Sequence, residues 1–194
     1  MKFGHYLKRV ESSDVFKKFK SKYKNSKLCA GFFVLDYETG NNIHQIDYML
    51  PNGKIATFFL DGNIKMKISD QVIKKELPEL KSDIKTDLDT LKGIVEDEMK
   101  NRIVTEKIRK IIAILHVIDK KPVWNLQCIL DGLSLLNVHI DDEDGTILKF
   151  EKHSLLDLVK SAPIMAFPEK SKNETSENKP NKKTSKKKQT KKRD

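Results

Sequence analysis

Residues 86–115 read TDLDTLKGIVEDEMKNRIVTEKIRKIIAIL, and the architecture turns on them. Leu88, Leu91, Val95 and Met99 recur every three to four residues, and Ile108, Ile111, Ile112 and Leu115 carry a compatible spacing onward. Apolar side chains at that period form one stripe of an α-helix. Thr86 with Asp89 three residues later has the form of a helix-opening cap. The stretch therefore predicts one long helix, with Thr105-Glu106 as the place where it could restart.

Period two replaces the helical period on either side of this helix. Upstream, 28–36, 43–50, 54–60 and 64–68 alternate in the manner of strands, separated by Glu38-Thr39-Gly40-Asn41, Pro51-Asn52-Gly53-Lys54 and Asp61-Gly62-Asn63. Each separator offers a residue that tolerates positive φ, so the four strands are expected to form a consecutive antiparallel meander. Residues 29–35, CAGFFVL, are apolar on both faces, which predicts a central strand. Lys65 and Lys67, alternating with Ile64, Met66 and Ile68, predict a lysine-guarded edge. Downstream, 124–130, 133–140 and 146–152 form a second set of strands, and 154–160 a short closing helix before Pro163.

The first residues place Phe3, Tyr6, Leu7 and Val10, and then Phe16, Phe19 and Tyr23, at helical spacing around Ser12 and Ser13, which predicts two consecutive short helices. The expected fold is thus α+β: helix, antiparallel meander, long helix, antiparallel meander, short helix. One body would span 1–168, divisible into halves 1–68 and 86–160 around a linker at 69–85. A disordered basic tail would follow at 169–194.

That tail has eleven Lys or Arg against four acids and no apolar side chain larger than Pro180. Such a segment buries too little to offset roughly 1–2 kcal/mol of backbone entropy per residue. The charge is segregated: residues 1–27 carry +7, residues 28–168 carry −4 and the tail carries +7, out of +10 for the chain. Lysine outnumbers arginine 34 to four, which favours diffuse attraction to phosphates over bidentate base readout.

Two loops echo one another, Leu35-Asp36-Tyr37-Glu38-Thr39-Gly40 and Ile140-Asp141-Asp142-Glu143-Asp144-Gly145. With the order of elements around them, they resemble the helix-plus-three-strand unit of PepSY-type modules. The body, above all Trp124-Asn125-Leu126-Gln127-Cys128 and Val138-His139-Ile140-Asp141, is similar to small uncharacterised archaeal α+β proteins. Neither resemblance implies an activity.

Catalytic signatures are missing. No P-loop, dinucleotide fingerprint, nucleophile elbow or C-x-x-C occurs, and His5, His44, His116, His139 and His153 lack metal-ligand spacing, although His139 and His153 are expected to approach one another if strands 133–140 and 146–152 pair as the last hairpin. The acidic loop 141–144 places Ile140 where an EF-hand needs its first ligand, so it reads as a turn. Neither a catalytic residue, a metal site nor a cofactor is nominated. Cys29 and Cys128 read as reduced core thiols, with a disulfide between them left open by the sequence. The N-terminus lacks a signal-peptide pattern and no apolar run approaches about 20 residues, which predicts a cytoplasmic chain without a transmembrane segment.

The expected function is non-enzymatic: an accessory protein that associates nonspecifically with RNA, DNA or a ribonucleoprotein surface. Its candidate polyanion-binding residues are Lys17, Lys18, Lys20, Lys22 and Lys24 on the second helix, and Lys182, Lys183, Lys186, Lys187, Lys188, Lys191, Lys192 and Arg193 in the tail. The competing reading is a protein-interaction or chaperone-like module whose tail serves solubility. Neither reading specifies an oligomeric state.

Overall fold

In the computed structural model, which describes residues 2–154, eight antiparallel strands form one sheet with three short helices. Helix α1 (Phe3–Glu11) and α2 (Asp14–Lys22) precede β1 (Lys27–Asp36), β2 (Ile43–Met49), β3 (Ile55–Phe59) and β4 (Lys65–Ile68). Helix α3 (Leu91–Asn101) precedes β5 (Ile108–Ile118), β6 (Lys121–Leu130), β7 (Ser134–Asp141) and β8 (Ile147–Ser154). The spatial order is β4-β3-β2-β1-β5-β6-β7-β8. Two four-stranded meanders therefore meet through their first strands, with Phe32 opposite Ile114 and Val34 opposite Ile112.

The long helix expected over 86–115 does not exist. Its first part is α3, which buries Leu91, Val95 and Met99, and its last part is β5, the longest strand of the sheet. Between them the chain closes a Schellman motif: Val104 N–H donates to Met99 O at 2.8 Å and Ile103 N–H to Lys100 O at 3.1 Å. The left-handed position of that motif, ordinarily glycine, is held here by Ile103 at φ 58°. Beyond it, Ile108, Ile111, Ile112, Ile114, Val117 and Ile118 are β-branched, and their stiff χ1 preference favours a strand. Ile111, Ala113 and Leu115 face the core while Lys110, Ile112, Ile114 and His116 face away, so the true period is two.

The β5–β6 hairpin also lacks the expected signal. Asp119 (φ 47°) and Lys120 (φ 69°) both adopt left-handed conformations in a two-residue turn between paired Ile118 and Lys121. Neither is glycine or asparagine. The second meander consequently has four strands, and the strand beginning at 121 runs through Pro122. Of the closing helix expected at 154–160, Ser154 is the last residue of β8 and the remainder lies outside the described residues, as does the tail.

Several expectations hold. Two short helices open the chain, and Ser13 Oγ caps the second by accepting from Phe16 N–H at 3.2 Å. Residues 28–68 form the expected meander, β1 is central, and β4 is an edge strand with Lys65 and Lys67 exposed. Among the described residues no helix is long and apolar enough to cross a membrane.

All three helices cover one face of the sheet. Phe3, Leu7, Val10, Phe16 and Phe19 from α1 and α2, and Leu91, Val95 and Met99 from α3, share a core with Phe33, Ile46, Phe58, Leu115, Trp124 and Val138. Gly31 sits where an added Cβ would come within 2.8 Å of both the Phe3 and Phe33 rings, so this glycine lets α1 approach the middle of β1.

Beyond Ser69, whose N–H donates to Ile55 O at 2.8 Å, the rest of 69–90 forms a strap with no helix or strand, fastened to the sheet by its backbone N–H groups at four places. Ile73 N–H donates to Gly53 O (2.8 Å), Leu77 N–H to Met49 Sδ (3.2 Å) and Leu80 N–H to Leu28 O (2.8 Å). At the fourth, Asp142 is 2 % exposed and accepts from Lys85 N–H (2.8 Å), Thr86 N–H (3.0 Å) and the Trp124 indole N–H (2.9 Å). Thr86 thus joins this carboxylate bolt, and the helix expected to begin there begins at Leu91.

Candidate polyanion-binding surface

Helix α2 is fixed by its aromatic side. Phe16 packs on Tyr48 and Phe58 at centroid separations of 5.2 and 5.5 Å, and Phe19 on the same rings at 5.8 and 5.1 Å. Tyr48 and Phe58 belong to β2 and β3, so α2 lies over the β4 side of the sheet. With that stripe turned inward, the 3.6-residue period sends the lysines outward.

The five lysines are not equivalent. Lys18, Lys22 and Lys24 are exposed, with Lys22 Nζ lying 5.4 Å from the Tyr23 ring. Lys17 is exposed and paired at 3.2 Å with Asp14, whose own side chain is 86 % exposed, a contact of little energetic weight. Lys20 departs from the group: it is half-buried, its ammonium donates to Ser26 O at 2.8 Å and lies 5.7 Å from the Tyr48 ring. Lys17, Lys18 and Lys22 therefore share the solvent face of α2, Lys24, expected on the same helix, lies in the turn after it because α2 ends at Lys22, and Lys20 serves the fold. The tail candidates, Lys182 to Arg193, lie outside the described residues.

Sheet order turns charge segregation into spatial polarity. Residues 2–68 carry twelve basic and six acidic side chains, residues 69–154 fourteen and seventeen. The first set supplies the β4 half of the sheet, which is positive; the second supplies the β8 half together with the strap, and with the strap set aside residues 91–154 carry ten basic and eleven acidic side chains, so the β8 half is near neutral. Such a field orients an approaching polyanion toward the α2 side.

The acidic loop between β7 and β8 holds carboxylates with separate local tasks. Asp141 accepts from Glu143 N–H at 2.9 Å and pairs with Lys121 at 3.3 Å, while Asp142 points inward to the bolt. Asp144 accepts from Thr146 N–H at 2.9 Å, and that bond holds its carboxyl below the usual range. The β1–β2 loop repeats this construction: Asp36 accepts from Glu38 and Thr39 N–H at 3.0 Å each, and Gly40 and Gly145 adopt φ 73° and 76°. The two echoing loops occupy different hairpins of their meanders, first in one and last in the other.

Among the described residues the histidines form no group of three or more metal ligands, and only His116 and His139 lie near enough for one to act on the charge of the other. His44 stacks on Tyr6 at 4.9 Å with Nδ1 3.0 Å from Asp61 Oδ1, and the register sets Lys149 opposite His139 and Leu135 opposite His153, which keeps those two imidazoles apart. Cys29 and Cys128 are both buried and free, and burial pushes each thiol up to about 12. Cys128 is aligned across β5 with Leu35, six residues along β1 from Cys29, which is about 20 Å at strand rise. The two do not form a disulfide.

Signals for the bolt and for the inward turn of Lys20 were absent from the sequence, since both depend on contacts between residues distant along the chain or across a turn. Comparison with protein-family models and with curated proteins finds no match. Among solved structures, a "putative lipoprotein" from Clostridium difficile is similar at a TM-score of 0.48 and 14% identity, over 72% of this chain and 91% of that one.

Proposed function

We propose that this chain is a non-enzymatic binding protein that associates with single-stranded RNA or a similar phosphate polymer, using the solvent face of α2 together with the lysine-rich segment 169–194. The observation that carries the reading is the α2 face. Lys17, Lys18 and Lys22 stand exposed on a helix locked by Phe16 and Phe19, with Lys24 exposed in the turn that follows it, so the charges form a fixed patch. The positive half of the sheet behind it and eleven basic residues in the tail act in the same sense. Lysine point charges without arginine forks suit backbone contact with no base readout.

The test is binding of the full chain to mixed-sequence single-stranded RNA across a salt series. Replacing Lys17, Lys18, Lys22 and Lys24 together with glutamine is expected to flatten the slope of log affinity against log salt by about 3, from roughly 0.7 per phosphate contact. Lys20→Gln should leave that slope in place while lowering stability. Equal slope and affinity for the fourfold variant and the unaltered chain would defeat the proposal.

A further inference from the structure

The face of the sheet turned away from the helices carries a continuous row of side chains. Register sets Lys65, Phe59, Gln45, Phe32, Ile114 and Asn125 side by side on β4, β3, β2, β1, β5 and β6. Packing leaves much of this row unspent. Phe32 and Phe59 are half-buried, and among the described residues neither ring lies against another aromatic ring, whereas Phe3, Phe16, Phe19, Phe33 and Phe58 all do so on the helix side. Gln45, between the two rings, and Asn125, two strands beyond Phe32, are half-buried, and their amides make no hydrogen bond among the described residues. Lys65, opposite Phe59, and Lys67, one row aside opposite Thr57, are exposed and without an ion pair among those residues. Asp47, an acid on the same face, stands in that second row.

We infer that this row takes the unpaired bases of a single-stranded nucleic acid, an inference that rests on the phosphate-polymer reading above. Phe59 and Phe32 stand two strand spacings apart, about 10 Å, as two stacking platforms. Every base has a π-face, so stacking on them is tolerant of sequence, in keeping with lysines that read no bases. The Gln45 and Asn125 amides offer both donors and acceptors to base edges. Lys65 and Lys67 stand at the β4 end of the row, where the phosphates would run off the sheet. Helix α2 lies over β2 and β3, one strand in from that edge, so a single strand can pass from the α2 lysines round β4 onto the row. A duplex keeps its bases stacked and paired, and it would engage the lysines alone.

The test compares binding of the full chain to mixed-sequence single-stranded RNA and to an abasic strand of the same length. The RNA is expected to bind about tenfold more tightly or better, with the same salt slope. Phe32→Leu combined with Phe59→Leu should lower RNA affinity by about fivefold or more per ring, while abasic affinity, salt slope and Trp124 emission stay unchanged. Equal affinity of the unaltered chain for the two strands overturns the inference and leaves the phosphate reading standing, whereas a chain that binds neither defeats both. A second measurement needs no variant: RNA carrying iodouridine is photo-cross-linked to the unaltered chain and the attachment sites are mapped. Attachment at Phe32 or Phe59 is expected, and attachment only elsewhere, or none, overturns the inference.

Discussion

Replacing Asp142 with alanine removes the bolt between strap and sheet, and the structure sets the size of the effect. Three donors converge on this carboxylate, the N–H groups of Lys85 and Thr86 and the Trp124 indole, at 2.8 to 3.0 Å, and both Asp142 and Trp124 are almost completely buried. A hydrogen bond to a charged group contributes about 1.5–3 kcal/mol, and a buried donor stripped of its partner costs about 1–3 kcal/mol. These terms overlap, since two of the donors are backbone groups near the surface that water can reclaim, and we expect a net loss of about 3–5 kcal/mol. For a body of this size that lowers Tm by about 10 °C. Asp142→Asn should lose less, about 1–3 kcal/mol, because an amide oxygen can still accept from Thr86 and Trp124 while its NH2 faces the Lys85 N–H. Trp124 is the sole tryptophan, so urea unfolding followed by its emission reports on the bolt and on global stability together. Trp124→Phe combined with Asp142→Ala completes a double-mutant cycle, followed by circular dichroism, in which a coupling of about 1 kcal/mol or more is expected. An alanine variant within 1 kcal/mol of the unaltered chain would refute the bolt as a structural element.

Gly53 at φ 77° has the Ile73 carbonyl oxygen 2.6 Å from where a Cβ would stand, whereas Gly62 at φ 76° has open space there. Gly53→Ala should therefore cost about 1–3 kcal/mol and speed tryptic cleavage at Lys74 and Lys75, whereas Gly62→Ala should leave cleavage of the strap unchanged; equal cleavage in both would remove the strap from the account. Asp36 is held well below the usual carboxylate range, first by the Thr39 backbone N–H and then by the Lys110 ammonium 3.0 Å away. Its folded-state value lies below the unfolded one, so its contribution is present above about pH 5 and is lost as pH falls through the unfolded value of about 3.9 toward the folded one. The stability gap between the unaltered chain and Asp36→Asn should accordingly shrink from pH 7 to pH 2 in urea titrations, and a constant gap would contradict the assignment.

The elements legible from sequence were those whose signals are local. Glycine at positive φ marked the β1–β2, β2–β3 and β3–β4 turns, Ser13 marked the start of α2, and the alternating lysines marked β4 as an edge. Where a turn used an unexpected residue, the reading failed. Ile103 ends α3 and Asp119-Lys120 turn β5 into β6 without glycine, so helix seemed to continue where strand begins. The spacing of Ile108, Ile111, Ile112 and Leu115 fits either period, and only pairing with β1 and β6 selects the strand.

The order of residues along the chain determined the segregated charge and the aromatic stripe that seats α2, because both follow from residue type, position and helical period. Tertiary structure decided what that charge means. Antiparallel pairing of β1 with β5 keeps the basic first meander together on one half of the sheet, and the turn after α2 draws Lys20 out of the exposed set. It also decided that Asp142, one of four consecutive acids, belongs to the core. A carboxylate's role depends on the donors that surround it, and those donors come from residues some 20 and 60 positions away, brought together only when the strap crosses the sheet.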